Sequence, residues 1–236
     1  MMETVTFGDC VLSDFGIVTD IRRSTAGIEP FIESVSGRDG GVVRGVRLTQ
    51  PEVSCLLVAK HVGMHDRRRM VRLLSPKLLV KELQTLSFSS DEGLTYRAML
   101  SQRPDFSEYV NAGTMRLTFF VDGAHMEGRT VVVDVSGTTR INVEGTYPTP
   151  LRISGTATPS NGYFGIRMDD GDFIHVKMDD AASVEIDCEA RTCKVAGVTR
   201  QITLDSDWLL PEPAEHTLRF DNGSGSLRVE WTERWL

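Results

Sequence analysis

Serine, histidine and carboxylate residues are present in this 236-residue chain, but none has the spacing that a known catalytic motif requires. The sequence contains no Gly-x-Ser-x-Gly, and the Ser-Gly steps at Ser136, Ser154 and Ser224 lack a partnered histidine. The glycine-rich stretch GRDGGVVRG (residues 37–45) is not followed by the helix that a dinucleotide site needs. We therefore predict no catalytic residue, no cofactor-binding residue, no cofactor and no enzymatic activity.

Two groups of residues have the chemistry of metal ligands. His61 and His65 stand four residues apart, which would put both imidazoles on one helical face, but Gly63 weakens that helix and no His-Glu-x-x-His motif is present. The aspartates of residues 169–172 and 179–180 could attract calcium, although their spacing matches no EF-hand loop and aspartate is common in turns. We assign no metal-binding residue.

A basic run and a set of tryptophans could form binding surfaces. Arg67, Arg68 and Arg69, with Arg72 one helical turn later, form either a solvated helix face or a subunit contact. Trp208, Trp231 and Trp235 cluster near the C-terminus, where they could line a sugar- or protein-binding surface or pack in a core. The sequence alone leaves both alternatives open.

The overall composition is that of a soluble globular protein, with 40% hydrophobic and 25% charged residues. The net charge of −7 disfavours sequence-independent binding to nucleic acid. The chain has no apolar run of membrane-spanning length, and its start lacks the features of a signal peptide, so we expect synthesis in the cytoplasm and no membrane insertion.

The four cysteines are too few for a disulfide scaffold. Cys10 and Cys55 lie in apolar strand segments and are expected to be buried and inert. Cys188 and Cys193 flank a short turn that would bring the sulfur atoms near each other, and whether they form a disulfide is left open.

Short segments rich in β-branched and aromatic residues predict a mainly β chain. In the first half the predicted strands are 4–7, 42–48, 54–58, 95–100 and 115–121. One helix is predicted between His65 and Leu86, with Asp66 as its N-cap and an interruption at Pro76. Whether residues 78–86 continue the helix or form a strand is left open.

From Thr130 onward the helical signal vanishes, and strands alternate with turn dipeptides, which is typical of a β-sandwich. The turn dipeptides are Asn161-Gly162, Asp170-Gly171 and Asn222-Gly223. The clearest hairpin joins residues 164–168 to residues 173–178 through an Asp-Gly turn. A polar, glycine-containing stretch at residues 121–129 suggests two domains, 1–127 and 128–236.

Several stretches in a fixed order resemble the distal tail protein family of siphoviruses, the long-tailed phages. They are SVSGRDGGVVRGVRLTQPEVSCLLVA from Ser34, LSFSSDEGLTYRAML from Leu86, MRLTFFVDG from Met115, VEGTYPTPLRISG from Val143, and the ending WLLPEPAEHTLRFDN with VEWTERWL. The Asp-Pro-Tyr that usually follows the third stretch in this family is missing here.

This resemblance implies an N-terminal β-sandwich or split barrel with one α-helix and a C-terminal galectin-like β-sandwich. It implies a structural virion protein, assembled in the bacterial cytoplasm, whose N-terminal domain forms a hexameric ring at the distal end of the tail tube. Its implied partners are itself, the tail tube protein, and the tail tip or baseplate and host-adhesion proteins. Residues 28–47 could supply an interlocking arm for the ring.

Two other functions remain as alternatives. A stand-alone carbohydrate-binding module is favoured by the sandwich and the C-terminal tryptophans, but the close set of His, Asn, Arg and Trp that galectins use is not found, so glycan binding is not favoured. A hydrolase would need two carboxylates in one cleft, and no motif nominates such a pair.

Overall fold

The computed structural model describes residues 3–37, 39–60, 63–109 and 112–236. The chain divides into two compact units, Met1–Glu127 together with Leu236, and Gly128–Trp235. Among the described residues α1 is the only α-helix, so the prediction of a mainly β fold with one helix is confirmed. No described helix is long and apolar enough to cross a bilayer.

Unit 1 is built from ten strands, a short 3-10 helix at Leu12–Asp14, and α1 (Met64–Leu78). The strands are β1 (Val5–Phe7), β2 (Cys10–Val11), β3 (Ile17–Arg23), β4 (Gly27–Ser34), β5 (Gly41–Thr49), β6 (Val53–Lys60), β7 (Gln84–Phe88), β8 (Thr95–Leu100), β9 (Asp105–Glu108) and β10 (Ala112–Val121). Antiparallel pairing gives the order β3-β6-β10-β8-β7-β1-β2, with β9 also on β10. β4 and β5 pair only with each other in the described sheets.

The core of unit 1 follows from period-two alternation in its strands. In β10, for example, Met115, Leu117, Phe119 and Val121 are buried while the residues between them are more exposed. α1 covers this core with Leu74 and Leu78, and Phe7 packs on Phe119 with ring centroids 5.2 Å apart. Burial of these apolar side chains is the main stabilising term for the unit.

The structure corrects the predicted ends of the helix. Gly63 is the N-cap, and Asp66 lies within the first turn, where its negative charge is favourable near the positive end of the helix dipole. Pro76 does not end the helix, which continues to Leu78, because a proline in the last turn removes only one hydrogen bond. The ambiguous segment that follows contains a strand, β7.

Unit 2 is a β-sandwich whose two sheets enclose one apolar core. Its strands are β11 (Met126–Val135, which starts within unit 1), β12 (Thr139–Asn142), β13 (Arg152–Thr158), β14 (Tyr163–Met168), β15 (Phe173–Lys177), β16 (Ala182–Asp187), β17 (Thr192–Val195), β18 (Val198–Arg200), β19 (Glu215–Asn222) and β20 (Ser224–Trp235). One sheet has the order β18-β17-β16-β13-β20-β11 and the other β12-β19-β14-β15. Ile153 and Val229 from the first sheet meet Phe164 and Ile174 from the second in the same core.

The predicted turns form, with one difference in backbone detail. Asn161 and Gly162 have φ of 52° and 80°, as a two-residue hairpin turn requires. In the β14–β15 hairpin the residue with positive φ is Asp169, at 51°, and the Asp-Gly pair at residues 170–171 stays at negative or extended φ. The hairpin itself forms, with Arg167 opposite Phe173.

His216 ties the start of β19 to this turn. Its Nδ1 lies 2.8 Å from Asp169 Oδ2, and its Nε2 lies 2.7 Å from the carbonyl oxygen of Glu212. Both partners accept, so the ring must carry a proton on both nitrogens. Burial lowers the pKa of His216, but the hydrogen bonds to Asp169 and Glu212 outweigh burial and leave that pKa raised.

All four cysteines are buried and free, so Cys188 and Cys193 do not form a disulfide in this structure. The strand register gives the reason. Cys193 pairs with Ile186, and Cys188 lies one residue beyond the end of β16, so the two are not cross-strand partners. Burial raises the pKa of Cys188 to about 12 and that of Cys193 to about 11. Burial likewise raises the pKa of Cys55 to about 12.

Because a thiol must ionise and be reached before it reacts, we expect none of the four to react in the folded protein. Ellman's reagent at pH 8 should detect fewer than one thiol per chain in native protein and four in 6 M guanidinium. A fast-reacting thiol in the native protein would contradict the burial described here.

The raised pKa of His216 predicts a pH dependence of stability. The imidazolium stabilises the fold fully below the ordinary pKa of 6.5, and this contribution is lost as pH rises through the folded pKa. In urea unfolding, H216Q should be less stable than wild type by about 1.5 kcal/mol at pH 5.5, the typical value of a hydrogen bond to a charged group, and by clearly less at pH 8.5. H65Q, which changes an exposed helical histidine, is the control, and an H216Q deficit that is equal at both pH values would refute the imidazolium.

Candidate assembly interface

The residues that the sequence singled out for chemistry do not come together. Ser154 lies in β13, Ser224 begins β20 and Ser136 follows β11, and among the described residues none of these hydroxyls is hydrogen bonded to a histidine. The glycines of residues 37–45 lead into β5, a strand. His61 and Arg38 lie outside the described residues, and His65 is exposed on α1.

Asp169 and Asp170, in the first of the two acidic clusters, are paired with the protein's own cations. Asp169 accepts hydrogen bonds from His216 and from the backbone N–H of Thr217, at 2.8 and 2.7 Å. Asp170 pairs with Arg219 at 2.8 Å. Within the described ranges no group of three or more His, Cys, Asp or Glu residues is placed to hold a metal ion.

The tryptophans are packed and do not form an open platform. Trp231 is buried in the sandwich core and Trp208 packs against that core. Trp235 is half-buried, with its indole nitrogen close above Gly128, where an added Cβ would lie 2.9 Å from it. Core packing is therefore the better interpretation, and the feature that favoured a sugar-binding module is removed.

A polar cluster that the sequence did not reveal lies on the outer face of the four-stranded sheet. Asp221 on β19 accepts hydrogen bonds from Arg167 at 2.7 and 2.8 Å and contacts His175 Nε2 at 2.7 Å. The imidazole crosses β14 at Gly165, where a Cβ would lie 2.2 Å from His175 Cδ2. Arg167 also stacks on Phe173, with its Cζ 4.4 Å from the ring centroid.

This cluster braces three strands. The hydrogen bonds from Arg167 are the largest cause of the lowered pKa of Asp221, so the carboxylate is ionised and its charge is matched by its neighbours. The only signal in the sequence was the alternation that puts Phe173 and His175 on one face, since the other members come from different strands.

β4 and β5 form a two-stranded arm, defined here as residues 27–49, and it is the most unusual surface of unit 1. In the register, Ile28 pairs with Leu48, Pro30 with Val46, and Ile32 with Val43. Cross-strand partners share a face, so these six apolar residues, the apolar face of the arm, point to the same side. Ile28 is 73% exposed and Ile32 63% exposed, values that decide against an ordinary core contact.

The opposite face of the arm is charged and internally paired. Glu29 accepts a hydrogen bond from Arg47 at 2.7 Å, and Glu33 pairs with Arg44. Arg47 also lies over Phe31, with its Cζ 5.6 Å from the ring centroid. The arm is therefore amphipathic, with one side suited to water and one side that water solvates poorly.

The edges of the arm are poor templates for a further strand. Pro30 has no N–H to donate along β4, and the register shift between Phe31 and Ile32 leaves Arg44 as an extra, bulged residue in β5. Within the described residues no arm side chain joins either apolar core. An isolated two-stranded sheet is marginally stable in water, so this arm is suited to binding by its apolar face.

Comparisons with known proteins agree with the family predicted from sequence. Residues 144–235 match the family model described as siphovirus-type tail component, C-terminal domain. No curated protein sequence matches the chain. Among solved structures, the Dit protein of phage SPP1, described as a paradigm of the hub of the adsorption apparatus in phages that infect Gram-positive bacteria, matches with a TM-score of 0.80 at 19% identity, and all of both chains is covered.

Two structures of the phage P2 baseplate in its activated conformation, with Ca and with Sr, match more distantly. Their TM-scores are 0.46 and 0.45 at 11% and 12% identity, covering 99% and 98% of this chain and 98% of each matched chain. The fold assignment therefore rests on the SPP1 protein. Residues 144–235 are similar to the siphovirus-type tail component family, and the chain as a whole has the fold of the SPP1 Dit protein.

Proposed function

We propose that this protein is a non-enzymatic structural component of a phage tail that forms a hexameric ring at the distal end of the tail tube. The observation that carries the proposal is the match of the whole chain to the SPP1 hub protein, with the family match in unit 2 as independent support. In this proposal residues 1–127 form the ring and residues 128–236 are a galectin-like docking module. The ring is the hub to which the tail tube, the tip or baseplate, and host-adhesion proteins attach, and it assembles in the host cytoplasm.

The arm supports the ring as a subunit contact. A closed ring is built from heterologous contacts, in which one patch of each subunit meets a different patch of the next. The apolar face of the arm supplies such a patch, because burying a single exposed isoleucine or valine is worth roughly 1.5–3 kcal/mol before association costs. The blocked edges direct the arm to bind by this face, which fixes its orientation against a neighbour.

The absence of enzymatic activity is proposed on the chemistry of the described residues. Buried thiols with raised pKa values are poor nucleophiles, and the carboxylate of Asp221 is already matched by Arg167 and His175. A carbohydrate-binding module would need an exposed aromatic platform, and Trp208 and Trp231 pack on the sandwich core.

The mass of the protein in solution tests the ring and the arm together. Light scattering after size exclusion should give about six times 26.2 kDa at micromolar concentration. V46E places a charge on the apolar face of the arm, where Val46 is 58% exposed, so the variant should fold normally but elute as a monomer. V198E is the matched control, because Val198 on β18 is also a strand valine that is 58% exposed, and it should stay hexameric.

Two outcomes would contradict parts of the proposal. A strict monomer for the wild type across a concentration series, with purified tail tube protein also present, would refute the ring. A V46E protein that remains hexameric would leave the ring standing and remove the arm from its interface.

A further inference from the structure

Unit 2 contains the same reactive dipeptide at two places, Asn161-Gly162 and Asn222-Gly223. In an Asn-Gly sequence the main-chain nitrogen of the glycine can attack the side-chain amide of the asparagine. Glycine favours this attack because it has no Cβ to shield its nitrogen. Since the two dipeptides carry the same reacting groups, the fold around each decides which of them reacts first.

The first dipeptide forms an exposed two-residue turn. Asn161 is exposed, and no atom lies within 4 Å of the position that a Cβ on Gly162 would take. Among the described residues the N–H of Gly162 and the side chain of Asn161 make no hydrogen bond. Neither the attacking nitrogen nor the amide that it must reach is therefore held by another group.

Few contacts resist the backbone rotation that brings these two groups together. The turn is closed by main-chain hydrogen bonds between Ser160 and Tyr163, at 2.8 and 3.1 Å, and this pair is an isolated bridge. Beyond the bridge β13 and β14 belong to different sheets. A further hydrogen bond joins the N–H of Met178 to the carbonyl oxygen of Gly162 at 3.0 Å. The turn can therefore open locally without separating two long strands, and local opening costs less than unfolding.

The second dipeptide is held on both sides. Asn222 is the last residue of β19 and pairs with Gly165, and Ser224 is the first residue of β20 and pairs with Thr158. A Cβ on Gly223 would lie 2.3 Å from the carbonyl oxygen of Thr158. Rotation about this dipeptide would break main-chain pairing in both sheets of the sandwich, so the fold protects it.

The other asparagines lack a glycine after them. Asn142 ends β12 and precedes Val143, whose N–H donates to the carbonyl oxygen of Ala214 at 2.9 Å. That nitrogen is engaged, and the branched side chain of valine crowds it. Asn111 precedes an alanine and lies outside the described residues.

We propose that Asn161 is a site of spontaneous deamidation in the folded protein, a modification that adds one negative charge to unit 2. The nitrogen of Gly162 forms a bond to the side-chain carbonyl carbon of Asn161. The bond from that carbon to the amide nitrogen breaks, and ammonia leaves with the proton of the attacking nitrogen. Water then opens the cyclic imide, at the side-chain carbonyl to give aspartate or at the main-chain carbonyl to give isoaspartate. This inference goes beyond the ring proposal and does not depend on it.

The two products should differ in stability. Aspartate tolerates the left-handed φ of 52° at this position as asparagine does. Isoaspartate carries the main chain through its side-chain carbon, so it lengthens a turn whose geometry is set by two residues. The Ser160–Tyr163 bridge cannot keep its register around the longer turn, and we expect the isoaspartyl form to lose it.

The test compares the two dipeptides within one full-length chain. Protein kept at pH 8.5 and 37 °C is digested with trypsin, which releases residues 153–167 and 220–228 as separate peptides with one Asn-Gly each. Mass spectrometry quantifies the gain of about 1 Da that marks loss of this thermolabile amide. In native protein Asn161 should deamidate at least fivefold faster than Asn222. In 6 M guanidinium the two rates should agree within about threefold, because the fold no longer separates them.

Three variants support the comparison. N161G keeps the positive φ available and should abolish the acidic species that anion exchange resolves in aged protein, whereas N222S should leave that species unchanged. N161D should unfold at the same temperature as fresh wild type, and aged protein rich in isoaspartate should unfold at a lower temperature than N161D. Thermal unfolding of each fresh variant shows that it is folded.

The proposal fails on any of three results. They are equal rates at Asn161 and Asn222 in native protein, faster deamidation at any other asparagine, and no mass gain at Asn161 over a month in which both dipeptides react in guanidinium. Persistence of the acidic species in N161G would also assign the modification to another residue.

Discussion

The two faces of a β-strand are the constraint on which this structure depends, since successive side chains point in opposite directions and one direction must be covered. In unit 1 the buried series of β10 satisfies this rule against α1 and the neighbouring strands, and in unit 2 two sheets cover each other. The arm obeys the same alternation and gathers six apolar side chains on its apolar face, but among the described residues no arm side chain packs into either core. The exposed apolar face of the arm is thus a consequence of regular strand geometry and not of irregular structure.

Charge does a different job in the two units. In unit 2 charged side chains on the surface of the sandwich bind one another: Asp221 joins β14, β15 and β19, and Asp169 with His216 holds the hairpin turn to β19. These ion pairs and hydrogen bonds link strands at the surface of a sandwich whose core is apolar. On α1 of unit 1, Arg69 and Arg72 find no acidic partner among the described residues, and their charge is available to another molecule.

Much of the fold follows from local sequence patterns. β1, β5, β6, β8 and β10, the single helix and the β14–β15 hairpin were predicted because alternation and turn residues act over a few neighbours. The strands β2, β3, β4 and β9 were not predicted. The N-cap was assigned to Asp66 since its side chain is a good acceptor, but the helix begins earlier, at a glycine without one. Likewise the positive φ falls on Asp169 and not on the Asp-Gly pair, because the backbone of Asp169 is held by Thr217 from β19.

The surfaces were less accessible to prediction. Residues 28–47 were identified as a candidate arm, but its apolar face depends on the bulge at Arg44, which shifts Val43 and not Arg44 opposite Ile32. The Asp221 cluster and the groove lined by Val71 and Phe106 bring together residues from separate strands and a helix, and one sequence gives no signal of such long-range contacts.

Pro30 and the bulge at Arg44 have a consequence for the protein before it assembles. The proposed ring needs six copies of the chain together, and a free hairpin with an apolar face has the features of a seed for cross-β polymers. A proline without a donor on one strand and a kink in the other interrupt the hydrogen-bond ladder that such a polymer must extend without limit. The apolar face of the arm can therefore bind a neighbouring subunit, while the interrupted strands oppose the growth of a fibril. Subunits then remain free to form a closed assembly.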